Sequence, residues 1–254
     1  MFFFFILLSA VLGAAIGSFS LVVAKRTMRG ESWWGASRSR CSSCKNTLSW
    51  CQMIPIVSFL CLRGRCRRCD SHISRDHITV EMITGAVYAL STAVIFDPGR
   101  LFPLLLWWSV LIPVCINTLS DLYQMKVLDS MNIALIVLGS VYTLVSGSMT
   151  LSSYLWGVMV GFFVFAVQFF LSRGRAIGSG DIYLGVAMGA LLGWPLVLIS
   201  IFFAYILGTV YVLPLLITRK VKLRSRIPLA PFLMVSMLIC LFWGRTVLHI
   251  FRLT

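Results

Sequence analysis

Long apolar runs alternate with short polar stretches along this chain. Runs at 2–24, 79–96, 101–119, 131–147, 151–171, 182–197, 198–217 and 228–248 each come near the length needed to span a membrane. A helix needs roughly 20 apolar residues to cross the hydrocarbon core of a bilayer. The pattern predicts an all-α polytopic membrane protein with about eight transmembrane helices. The 182–217 stretch also admits one span plus a re-entrant piece. Only one polar segment, 25–78, is long. The expected organisation is therefore a first helix at 1–24, a loop at 25–78 between helices 1 and 2, and a membrane domain over 79–254.

Composition agrees with lipid as the solvent. Of 254 residues, 59% are hydrophobic and 12% are charged, where soluble domains carry about a quarter charged. The formal net charge of +14 would suit a nucleic-acid partner, but the distribution argues against one. With the N-terminus outside and the spans alternating, 19 Lys/Arg lie inside, and only Arg100, Arg245 and Arg252 lie outside. That asymmetry sets topology in membrane proteins. The basic stretch at 219–226 reads as an anchor touching anionic membrane lipid. The first run has no positive residues before it, and Lys25 and Arg26 follow it. That order is wrong for a cleaved secretory signal and predicts a retained helix.

The 25–78 loop is too polar and basic to build its own core, and segments this small need a staple. It carries Cys41-x-x-Cys44 and Cys66-x-x-Cys69, with 21 residues between the pairs. Two such knuckles suit a tetrahedral four-thiolate zinc site. Four protein ligands leave no open coordination position, so Zn2+ here would be structural. Arg40, Lys45, Arg65, Arg67 and Arg68 would offset its charge. The alternative is four reduced, unliganded thiols. Cys51 and Cys61 are read as non-ligands, and Cys115 and Cys240 as small apolar fillers.

Eight acidic residues occur in the whole chain. Asp121, Asp129 and Asp181 fall at the predicted inner membrane boundary, where a carboxylate is expensive without a partner or a task. Asp121 and Asp129 on one helix would stand about 12 Å apart. Asp121 and Asp181 come from different spans and are free to meet. Gly178 and Gly180 before Asp181 permit a sharp turn and close helix packing. Two carboxylates held together share one proton: the ionised one takes a proton from water, and the protonated one donates to a scissile carbonyl. The competing reading is that these are helix-capping or snorkelling acids. The three histidines suggest no nucleophile–base arrangement, and His72 is at most an alternate metal ligand.

Several motifs then converge. Gly178-Ser179-Gly180-Asp181 resembles the GxGD motif of type IV prepilin peptidases, the leader peptidases of type IV pili and type II secretion. Asp121 with Asp129 resembles their other aspartate segment, and Gly17-Ser18-Phe19 with Val22-Val23 their first-helix signature. The knuckles, with Ile54-Pro55-Ile56 and Leu62-Arg63-Gly64-Arg65-Cys66, are similar to the family's cytoplasmic loop. Val80-Glu81 and Thr84-Gly85 resemble the start of its second helix, and Ile227-Pro228-Leu229-Ala230-Pro231 the loop before its last helix.

The resemblance implies a bifunctional enzyme of the bacterial inner membrane with its active site facing the cytoplasm. It would cut the leader from prepilins or type II secretion pseudopilins and N-methylate the new terminus with S-adenosylmethionine. It implies Asp121 and Asp181 as the catalytic pair, and Cys41, Cys44, Cys66 and Cys69 as zinc ligands. Asp129 matches an accessory acidic position. Glu81 is the candidate contact for S-adenosylmethionine or the amine, with a helix-start role as its alternative. The 25–78 loop would then serve methylation and 79–254 the aspartyl protease. The chain departs from the pattern at Ser20-Leu21, His77-Ile78, Leu128 and Tyr183. The first two departures bear on methylation; none removes a protease aspartate or a knuckle cysteine. A zinc-stapled transporter or sensor using intramembrane carboxylates is the alternative function, and it predicts inverted repeats.

Overall fold

The computed structural model describes residues 1–28, 30–31, 39–41, 43–222 and 225–250. Arg29, Arg38, Arg224 and Arg252 of the charge count lie outside the described residues. The helices are α1 (Phe2–Met28), α2 (Val57–Cys61), α3 (Asp76–Ile95), α4 (Leu101–Gln124), α5 (Asp129–Ser146), α6 (Leu151–Ser172), α7 (Ser179–Leu192), α8 (Leu196–Ile217) and α9 (Ala230–Ile250). A single 3-10 turn, Trp50–Met53, precedes α2. No β-strand occurs among the described residues beyond two isolated bridges.

Six helices (α1, α3, α4, α5, α6 and α8) are long and apolar enough to cross a membrane. Two of the eight expected spans are shorter: α7, with 14 residues, and the first part of α9, Ala230–Gly244. At 1.5 Å per residue α7 is only about 21 Å long, against a hydrocarbon core of about 30 Å. It starts on a glycine turn and stops at Gly193, whose φ of 66° a side chain would resist. Nine of its residues are buried, so neighbouring helices cover it. The 182–217 stretch thus forms two separate helices, α7 and α8, with Gly193, Trp194 and Pro195 between them.

The chain divides into two compact units, Met1–Leu104 and Leu105–Thr254. In the first, α1 packs on α3 through small residues. A Cβ at Gly13 would sit 2.7 Å from the Thr84 carbonyl oxygen and from Tyr88 Cβ, and one at Gly17 would collide with Thr84 Oγ1. Lys25 at the end of α1 pairs with Asp76 at the start of α3 at 3.7 Å.

The second unit is built around α7. Gly157 and Gly161 of α6 face Gly189 and Gly185 of α7, each within one backbone thickness. A Cβ on Gly161 would strike the Gly185 carbonyl, and one on Gly157 would lie 2.6 Å from the Gly189 carbonyl oxygen. Backbones approach this closely in membranes only along small residues. On another side Thr143 of α5 donates to the Ala190 carbonyl at 2.9 Å. Trp107, Leu135, Phe165, Leu184, Met188, Leu233 and Met234 fill the interior. The outer faces carry exposed Phe, Leu and Val, including Phe162, Phe163, Phe170, Leu171, Phe202 and Val210. That is the expected inversion for lipid-facing surface.

Candidate functional site

Asp121 lies in the last turn of α4, which continues to Gln124 beyond the predicted end of the third span. Met125, with φ 53°, closes the helix by donating its N–H to the Asp121 carbonyl at 2.8 Å. The chain then turns, and Asp129 opens α5. The two acids therefore belong to different helices. Asp129 is exposed in a first turn, where its charge suits the helix dipole.

Asp181 occupies the first turn of α7, and its Oδ2 accepts from the N–H of the preceding Gly178 at 3.0 Å. Asp121 Oδ2 accepts from the N–H of Ala230, at the start of α9, at 2.8 Å. Both side chains are buried, with exposures of 6% and 8%. The charge of Asp121 bears on Asp181, so the two buried acids, from separate helices, are near enough to interact. A Cβ on Gly180 would lie 3.3 Å from Val127 Cγ2 and 3.5 Å from Asn132 Nδ2, so the turn fits against the 125–128 segment because the residue is glycine. Tyr205 of α8 donates its hydroxyl to Gln168 Oε1 at 2.6 Å. It lines an apolar cavity of about 350 Å³ with Gly208, Leu213, Leu229 and Phe232.

The loop of the first unit brings its four predicted thiols together. The sulfurs of Cys41, Cys44, Cys66 and Cys69 all lie within 4.8 Å of one another. The two knuckles repeat each other at an offset of 25 residues. Lys45 and Asp70 donate their N–H groups to the Cys41 and Cys66 carbonyls, at 3.0 and 2.9 Å. Cys41 and Cys66 donate to the Asn46 and Ser71 carbonyls, both at 2.9 Å. Lys45 and Asp70 share a left-handed φ, 57° and 55°, and each knuckle closes in an isolated bridge, Arg40 with Thr47 and Arg65 with His72. Cys41 Sγ and Cys69 Sγ stand 3.8 Å apart. Zinc–sulfur bonds of about 2.3 Å in a tetrahedron place sulfurs about 3.8 Å apart. The four thiols are thus grouped as a four-thiolate metal centre requires, with one pair already at that spacing. Backbone hydrogen bonds from Cys44 and Ser43 pull the Cys41 thiol down to about 6. Cys44 goes up to about 11: an Asn46 backbone hydrogen bond lowers it, but desolvation and its neighbours Cys69 and Cys41 outweigh that. Without a cation the cluster keeps a proton on Cys44; a divalent metal removes the reason to.

Glu81 is buried in α3, with 6% exposure, and its Oε2 accepts the Ile56 N–H at 2.7 Å. Ile56 has φ 62° and ψ −54°, a costly backbone for a β-branched residue. In the structure Glu81 therefore anchors the loop to α3 through a charged hydrogen bond.

The comparisons with known proteins bear on both units. Residues 11–95 match the bacterial peptidase A24 N-terminal domain, and residues 104–213 match the type IV leader peptidase family. The prepilin leader peptidase/N-methyltransferase of Aeromonas salmonicida (strain A449) is 31% identical over 216 residues, covering 83% of this chain and 72% of that one. The chain belongs to the type IV leader peptidase family.

Other leader peptidases carrying the same name are similar to it as well. The Legionella pneumophila protein is 33% identical, covering 84% of this chain and 74% of its own. The Bacillus subtilis (strain 168) protein is 27% identical, covering 85% and 86%. No solved structure matches. Membership makes the chain a multi-pass membrane enzyme, an aspartic peptidase of a family whose named members are also N-methyltransferases. Both Asp121 and Asp181 lie within the leader peptidase match, and Glu81 and all four knuckle cysteines lie within the N-terminal one. Sequence reasoning passed over two residues beside the acids, Asn117 and Asn132. Both are wholly buried and hydrogen-bonded to each other at 2.9 Å. Their signal was available: an amide inside an apolar run needs a partner.

Proposed function

We propose that this enzyme removes the leader of prepilins or type II secretion pseudopilins at the cytoplasmic face of the bacterial inner membrane, with Asp121 and Asp181 as its catalytic pair. The observation that carries the reading is the burial of two carboxylates from separate helices within reach of each other's charge. Each has its Oδ2 tied to a backbone N–H, which restrains the carboxylate and leaves Oδ1 as the oxygen for chemistry. Close carboxylates cannot both ionise, so one proton is shared between them. The ionised acid accepts a proton from water as the water attacks the scissile carbonyl. The protonated acid donates to the carbonyl oxygen as charge develops there. The apolar cavity beside Tyr205 and Leu229 gives apolar side chains flanking the cut a place to sit.

Charge supports the orientation. Lys126 follows α4, Arg173 and Arg175 follow α6, and Arg219 and Lys220 follow α8, at the same helix ends that carry the acids. Positive loops stay in the cytoplasm.

The knuckle loop, with zinc held by Cys41, Cys44, Cys66 and Cys69, serves the second activity. Zinc there supplies a rigid closed centre, not a reaction site. S-adenosylmethionine supplies the methyl group for the new N-terminal amine. Glu81 serves this half by holding Ile56 and the loop in place. The test is to incubate membranes bearing the enzyme with a prepilin and S-adenosylmethionine, then weigh the mature N-terminus. The expected product lacks its leader and carries one methyl. Intact prepilin under conditions where the enzyme is well expressed would overturn the reading.

A further inference from the structure

Asn117 and Asn132 carry the inference. Both have 0% exposure, and a buried amide costs stability unless its groups are paired. Here the pairing has a direction. Leu128 N–H donates to Asn117 Oδ1 at 3.2 Å, Asn117 Nδ2 donates to Asn132 Oδ1 at 2.9 Å, and Asn132 Nδ2 donates to the Gly180 carbonyl at 3.2 Å. The orientation of each amide is forced. Leu128 offers only a donor at one end and Gly180 only an acceptor at the other. Flipping either amide would set donor against donor or acceptor against acceptor.

The relay begins in the turn after Asp121 and ends on the residue before Asp181. Asn117 and Asp121 lie four residues apart on α4 and so share a face. Asn132 lies on α5, and Gly180 lies in the turn that opens α7. Three helices are therefore fixed to one another one layer beneath the acids, by groups that cannot slide without losing a buried hydrogen bond. A pair of acids sharing a proton is sensitive to separation, because their mutual repulsion falls with distance.

We propose that Asn117 and Asn132 are positioning residues for the peptidase reaction, their amide relay setting the separation of Asp121 from Asp181. The inference rests on the assignment of those aspartates as the catalytic pair. Neither asparagine reaches the substrate; both act through the acids.

The test uses the full chain in detergent or liposomes with a prepilin peptide. Asn132→Leu keeps the branching at Cγ and removes the relay. A misplacement near 1 Å costs up to about 100-fold in rate, so kcat falls about 10- to 100-fold while KM stays within about threefold. Asn132→Asp is the discriminating variant. A neutral carboxylic acid accepts from Asn117 and donates to Gly180 as the amide did, whereas its ionised form has no donor. This variant cuts at near parental rate at low pH and loses kcat as pH rises through its own ionisation, a limb absent from the parent profile. A merely structural role would lower the melting temperature without adding that limb. The inference is overturned if Asn132→Leu keeps kcat within threefold, or if the Asn132→Asp profile runs parallel to the parent; the second measurement decides if the leucine variant does not fold. Normal cleavage by Asp121→Asn and Asp181→Asn would instead remove the pair assignment, and the relay's role with it.

Discussion

Replacing Cys66 by serine asks what holds the loop between α1 and α3. Cys66 is the only buried apolar side chain among the described residues of 39–73, so the loop has no core of its own. Ordering its two six-residue knuckles costs roughly 12 kcal/mol at about 1 kcal/mol per residue. Structural zinc supplies about 10–16 kcal/mol, which is the scale required. One ligand of four is worth roughly a quarter of that, about 2.5–4 kcal/mol, or roughly 70- to 800-fold in metal affinity. The assay is metal content by mass spectrometry on the detergent-purified chain after a chelator wash, paired with limited trypsin digestion. The parent should keep one zinc per chain and resist cleavage at Arg63, Arg65, Arg67 and Arg68. Cys66→Ser should lose the metal and be cut there, while the fragment bearing α4–α9 survives. A parent loop that resists trypsin without metal, or a serine variant that keeps zinc through the same wash, would refute the reasoning.

Three further outcomes are expected. Gly161→Val drives a side chain into the Gly185 carbonyl, an overpacking cost of about 1–3 kcal/mol. It should lower the melting temperature and abolish cleavage, whereas Gly99→Ala, whose Cβ would meet only Asp97 Oδ1 at 3.5 Å, should be tolerated on both readouts. Glu81→Leu removes the acceptor of the Ile56 N–H, and methylation of a pre-cut pilin should fall at least about tenfold, since charged hydrogen bonds are worth about 1.5–3 kcal/mol. Glu81→Gln keeps the acceptor and should retain most activity; equal loss in both would mean the charge itself is needed. With metal removed at pH 7, iodoacetamide should label Cys41 ahead of Cys44 in a peptide map. The Cys41 thiol at about 6 is mostly ionised there, while Cys44 at about 11 is not.

Much of this could be read from the chain. The apolar runs located every described helix except the five-residue α2, because lipid-facing segments must be apolar around most of their circumference. The run at 182–197 overstated a span because burial inside protein and burial in lipid select the same residue types, and α7 is covered by protein. The knuckles were legible because metal ligation demands fixed spacing; their repeat at 25 residues was not, since it lives in backbone hydrogen bonds and in the left-handed Lys45 and Asp70. The two aspartates stood out as acids at the predicted membrane boundary and through the motifs that carry the family resemblance. The Asn117–Asn132 relay did not, because an amide inside an apolar run signals the need for a partner but not which residue supplies it. Glu81 reads from its position as a candidate cofactor or amine contact, or as a helix-start acid; its bond to the Ile56 N–H adds an anchoring role that no pattern predicts.

The central claim is that Asp121 and Asp181 together cut the leader. The measurement is the N-terminal mass of a prepilin incubated with the parent, with Asp121→Asn and with Asp181→Asn, each at matched membrane levels and with melting temperature recorded. Both variants should fold as the parent does and leave the prepilin intact, while leader-free pilin offered to them is still methylated. A shortened N-terminus from either well-folded variant would contradict the account.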